Sequence, residues 1–226
     1  MATKDSIEQK QQAIVEGAVS KSEQFFDEHK TLIYGVLAAV LVIGIALLCW
    51  SRFYVQPKKA EASSQLYHAE QNFQAGNYEL ALNGDDNYPG FDEIIRTYGS
   101  KAGKAVYMYA GVSALQLGNF EDAIGYLKKY NGKDKILAAR ATACIGDAYA
   151  GLGEYTEAVS YFEKAAAVSD NQFSAGYLLK AGIASEELGQ FDKALGYYKK
   201  IKDQYPGSFE GAEIDKYISR IEGRRE

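Results

Sequence analysis

Gly153-Glu-Tyr-Thr-Glu-Ala-Val159 decides the fold, because the chain repeats it. Gly76-Asn-Tyr-Glu-Leu-Ala-Leu82, Gly118-Asn-Phe-Glu-Asp-Ala-Ile124 and Gly189-Gln-Phe-Asp-Lys-Ala-Leu195 carry the same order of glycine, polar residue, aromatic ring, two variable positions, alanine and aliphatic side chain. Their glycines are spaced by 42, 35 and 36 residues. Each segment reads as the corner of a helical hairpin. The glycine takes the left-handed conformation that ends a first helix, and acidic residues after it complement the dipole of a second. The ring fills the space beneath the turn. Ala81, Ala123, Ala158 and Ala194 let the two helices approach closely, opposite Ala69, Gly111, Gly146 and Gly182 twelve residues earlier. Leu127, Phe162 and Tyr198 follow four residues after the last three alanines.

These residues resemble the tetratricopeptide repeat, a unit of roughly 34 residues with small side chains at those two places. Units begin near Ala62, Lys104, Ala139 and Ala175, and Pro206 closes the fourth. Asn83-Gly-Asp-Asp-Asn-Tyr-Pro-Gly90 interrupts the second helix of the first unit, which Phe91–Tyr98 resumes; this accounts for the longer first spacing. Asp85, Asp86 and Asn87 lack the closing acid of a calcium loop and read as a turn. Glu210–Arg224 supplies a last helix with Ile214, Tyr217, Ile218 and Ile221 on one face, the form a solenoid's cap takes. The expected fold is all-α: one N-terminal transmembrane helix, then a tetratricopeptide-repeat α-solenoid with a C-terminal capping helix.

Upstream, Leu32–Trp50 is nineteen residues without charge or proline, between Lys30 and Arg52. As a helix it is about 28 Å long, the thickness of a bilayer's hydrocarbon. Tyr34, Trp50, Phe53 and Tyr54 stand where interfacial aromatic belts form. No small-residue cleavage site follows, so the segment reads as an uncleaved single-span anchor. The expected divisions are an N-terminal arm at 1–30, a transmembrane helix at 31–51, a juxtamembrane linker at 52–61, four repeats at 62–207, and a cap and tail at 208–226. Ile7, Ile14, Val15, Ala18, Val19, Phe25 and Phe26 give the arm an apolar stripe at helical spacing. It forms either an amphipathic helix or a solvated arm that orders only near Phe25. Lys21 and Lys30 precede the span and Arg52, Lys58 and Lys59 follow it, so the charge bias does not fix orientation.

The composition excludes several function classes. A net charge of -5 without a basic run argues against nucleic acid. Eighteen tyrosines and only three prolines suit packed helices more than a disordered stalk. Cys49 in the span and Cys144 far downstream cannot form a disulfide framework, and His29 and His68 have no ligand cluster near them. No phosphate loop, H-E-x-x-H, G-x-S-x-G or C-x-x-C occurs. Neither an enzyme, a cofactor nor a small-molecule substrate is therefore expected. What remains is binding of proteins.

In tetratricopeptide solenoids the concave wall comes from first-helix positions two, five, nine and twelve. Carried over, this marks Leu66 and Phe73 in the first unit, Met108, Val112 and Leu115 in the second, Arg140 and Asp147 in the third, and Leu179 and Ile183 in the fourth. The lysines and asparagines of a carboxylate clamp are not in this set. The wall is mainly apolar with Arg140 and Asp147 as its charged centre, suited to an extended apolar segment or an amphipathic helix. The same side chains could equally pack between repeats.

The whole layout also resembles the YfgM-type proteins of bacterial inner membranes. Its local marks are Glu23-x-Phe-Phe-x-x-His-Lys30, Gly90-Phe-x-x-Ile-Ile-x-x-Tyr98 and Ala102-Gly103. The resemblance implies an inner-membrane protein with a cytoplasmic N-terminus and a periplasmic repeat domain. It also implies a non-enzymatic scaffold associated with Sec translocon subunits and a periplasmic chaperone, with client polypeptides as further partners. The alternative is an anchored receptor or assembly adaptor whose repeats face the cytosol.

Overall fold

The computed structural model describes Phe25, residues 28–168 and residues 170–224; the expected helix of the N-terminal arm lies outside them. Two compact units divide the chain, Met1–Pro57 and Lys58–Glu226. In the first, helix α1 covers 28–50 and passes into a π-helical turn, Ser51–Val55. The helical run that contains it, Glu28–Gln74, is long and apolar enough to cross a membrane, and its apolar window has no buried residue. The rings of Trp50 and Tyr54 meet in a tilted pair with centroids 4.5 Å apart.

The 52–61 stretch, expected as a linker, is helical: α2 begins at Gln56 and runs to Gln74. The helix passes through Pro57, because the widened turn before it accommodates a residue that cannot donate to the carbonyl one turn earlier.

From α2 onward helices pair as hairpins. These are α2 with the split α3 (Tyr78–Asn83) and α4 (Phe91–Tyr98), then α5 (Ala105–Gln116) with α6 (Phe120–Leu127). There follow α7 (Lys135–Gly151) with α8 (Tyr155–Val168), and α9 (Phe173–Glu187) with α10 (Phe191–Gln204). Helix α11 (Phe209–Glu222) closes the array. The corner is built alike each time. Gly118 has φ 78°, its N–H donates to Leu115, and the next residue, Asn119, donates to Ala114. Gly76, Gly153 and Gly189 repeat this paired-bond helix stop.

Alanines hold the helices together. Ala81, Ala123, Ala158 and Ala194 are all fully buried. The core runs along the array from Leu66, Phe91, Ile94 and Val106, through Val159 and Phe162, to Leu178, Tyr198 and Ile201. In the first unit Asp85, which had a calcium-loop alternative, accepts from the N–H groups of Asn87 and Tyr88 at 2.8 Å each, closing a turn. Ser208 caps α11 by accepting from Gly211 at 2.9 Å, and Ile214, Ile218 and Ile221 face inward.

Candidate functional site

Three first helices and the start of the cap enclose a cleft of about 630 Å³. Val112 and Leu115 of α5 form one wall, and Arg140, Ala143, Cys144 and Asp147 of α7 form its floor. Tyr177 and Lys180 of α9 form the opposite wall. Ile136, Leu137, Phe173 and Phe209, from the opening turns of α7, α9 and α11, make an exposed apolar lip. Phe209 is 87% exposed although it directly follows the N-cap that fixes its helix.

Two charged groups in the floor and wall satisfy each other. Lys180 Nζ lies 2.7 Å from both carboxylate oxygens of Asp147, tying α9 to α7, and 5.8 Å from the centre of the Phe162 ring. Arg140 is exposed and has no hydrogen-bond or ion-pair partner among the described residues. Burial pushes the Cys144 thiol up to about 11, with Asp147 adding to the shift and Lys180 and Arg140 opposing it. A thiol so shifted is not an activated nucleophile at neutral pH. Burial likewise raises the Tyr177 hydroxyl. Among the described residues no cluster of three His, Cys, Asp or Glu could hold a metal. The cleft is equipped to bind through apolar contact and charge.

Of the wall positions expected from the repeat register, the cleft gathers Val112, Leu115, Arg140 and Asp147. Leu66 and Met108 are buried instead. Phe73 packs its ring against Tyr78, Phe91 and Tyr109 at centroid distances of 5.7, 6.2 and 5.0 Å. Leu179 lies against the C-terminal core. Ile183 is 39% exposed and outside the cleft lining.

The lip was missed because unit starts were set by repeat alignment. Helix α7 begins four residues before Ala139, and this extra stretch presents Ile136 and Leu137. The signal was there: Asp134 is a capping residue just ahead of two aliphatics, and its side chain accepts from Leu137 N–H at 2.9 Å.

Fold and cleft together define a class: an all-helical solenoid of tetratricopeptide-like hairpins, a protein-protein interaction architecture and in general a non-catalytic scaffold. A tetratricopeptide repeat family profile matches residues 145–209. Among solved structures, the crystal structure of the MamA protein is similar with a TM-score of 0.56 at 19% identity, over 74% of this chain and 83% of that one. A second MamA crystal structure gives 0.52 at 20%, over 70% and 94%. At such identities the likeness is one of fold. Comparison with curated proteins gives no match.

Proposed function

We propose that this chain is a non-enzymatic, single-span membrane scaffold that binds proteins through the α5–α7–α9 cleft. The observation that carries this is the apolar lip of Ile136, Leu137, Phe173 and Phe209 around the unpartnered Arg140. Held by capped helices, these side chains present apolar surface to solvent at no benefit to the fold, as interaction sites do. Among the candidate groove residues, Val112, Leu115, Arg140 and Asp147 are the ones that contact the ligand in this proposal. Leu66, Phe73, Met108, Leu179 and Ile183 lie outside the cleft lining.

The resemblance to YfgM-type proteins supports a finer reading. The repeat domain lies in the periplasm of a bacterial inner-membrane protein, as an ancillary subunit of the Sec translocon that works with a periplasmic chaperone. The second reading, an anchored receptor with cytosolic repeats, is favoured by one observation: two basic residues precede the span and three follow it. A reporter fused after Glu226 separates them. Activity of a periplasm-dependent phosphatase supports the translocon reading, and activity of a cytosol-only reporter replaces it with the receptor. Scaffold function itself is tested by purifying the full chain from membranes in mild detergent. Partners that disappear with Val112→Arg, while melting stays native-like, support the cleft; partners retained remove it.

A further inference from the structure

Any partner that covers the cleft with apolar side chains must also cover Arg140. Lys180 and Asp147 already meet each other in a two-bond ion pair. Glu210 lies beside the first turn of α9, close enough that a Cβ on Gly176 would sit 2.9 Å from its Oε1, where a negative charge is favoured. Arg140, without a hydrogen-bond or ion-pair partner among the described residues, would be stripped of water with nothing in return. Covering an unpaired guanidinium is costly, whereas a carboxylate laid against it makes a forked, charge-assisted pair.

Resting on the protein-binding reading above, we infer that the cleft selects partner segments in which apolar side chains flank a carboxylate. The carboxylate pairs with Arg140 and the apolar groups rest on the lip. A basic residue at the same place meets Arg140 head-on. The selectivity is therefore for sign as well as for hydrophobicity.

The test uses the full chain in lipid nanodiscs to select from a displayed library of random peptides, with empty nanodiscs as the background. Arg140→Glu and Phe209→Ser are selected in parallel, each after its melting curve is shown to match the parent. Arg140 and Phe209 are exposed, so both variants should fold. The parent should enrich peptides in which Asp or Glu sits among Leu, Ile, Val and Phe. Arg140→Glu should select Lys or Arg at that place and bind the parent's acidic peptides at least about tenfold more weakly. Phe209→Ser should weaken apolar peptides of either sign. Apolar peptides without charge preference, or the same acidic peptides from Arg140→Glu, overturn the inference and leave the cleft reading standing. No enrichment over empty nanodiscs overturns both. A parent that sediments as a dimer, and dissociates in Phe209→Ser, assigns the cleft to a second copy and also overturns the inference.

Discussion

Gly146 has no side chain because Phe162 occupies the place of one: a Cβ there would lie 2.7 Å from Cε1 of the ring. The same fit recurs sixteen residues apart between Gly111 and Leu127, whose Cγ would be 2.5 Å from the added carbon, and between Gly182 and the Tyr198 ring. The last three hairpins are thus keyed by a gap on the first helix and a large side chain on the second. Gly146→Ala should be destabilising. The gain in helix propensity, about 1 kcal/mol, is smaller than overpacking costs of about 1–3 kcal/mol when the obstructing ring is itself buried. Thermal unfolding should show a lower melting temperature for Gly146→Ala and partial recovery in Gly146→Ala/Phe162→Leu. An unchanged melting temperature in the single variant would mean that the hairpin is not so keyed.

The hairpins were legible in the sequence for a physical reason. A corner that needs a positive-φ glycine and a contact that tolerates only alanine restrict residue choice so tightly that Gly153 and Ala158 reveal their roles by recurrence. Restriction is weaker on the outer surface of the cleft. Leu66 and Val112 are both aliphatics at wall positions, yet one is in the core and the other lines the cleft. The difference arises from which neighbouring helices cover them. Phe209 was invisible as a lip residue because its place beside Phe173 depends on how α11 folds back on α9, a contact between segments more than thirty residues apart.

A second recurrent tie joins consecutive units on their second helices. Tyr126 donates to Asp92 at 2.6 Å, and Tyr197 donates to Glu163, each across 34 residues. Burial foremost, then the carboxylate partner, raises both phenols well above their ordinary value near 10. Below that value the hydroxyl is protonated in folded and unfolded chains alike, so its contribution is complete. As pH rises past it, the unfolded chain loses protons that the folded chain keeps, and stability falls. Urea unfolding should therefore show stability declining above pH 10, and less steeply in Tyr126→Phe/Tyr197→Phe. At neutral pH each single Phe variant should cost about 1 kcal/mol, the net worth of one hydrogen bond. Equal alkaline slopes in parent and double variant would remove these tyrosines from the pH response.

The cap is held by a charge cluster as well as by its isoleucines. The Glu186 side chain, 8% exposed, accepts from Tyr198 Oη and from Arg220 at 2.5 Å each, with Arg224 at 3.8 Å. Removing the main cation while the carboxylate stays buried is costly, so Arg220→Met should destabilise by roughly 2–3 kcal/mol. Replacing the pair together, Arg220→Met/Glu186→Leu, should recover part of that loss. Denaturant unfolding of the four proteins of this cycle measures the coupling. Additive losses would show that the residues act independently.

Val112 and Ile183 occupy equivalent places in the second and fourth units, but only Val112 lines the cleft. An arginine at either place can keep its head in water, so both variants should melt within about 1 °C of the parent for each few tenths of a kcal/mol lost. The direct measurement is co-purification of partners from membranes with the full chain carrying Val112→Arg or Ile183→Arg, each checked for native-like melting. The expected result is loss of partners with Val112→Arg and retention with Ile183→Arg. Retention with Val112→Arg would contradict the cleft as the binding site.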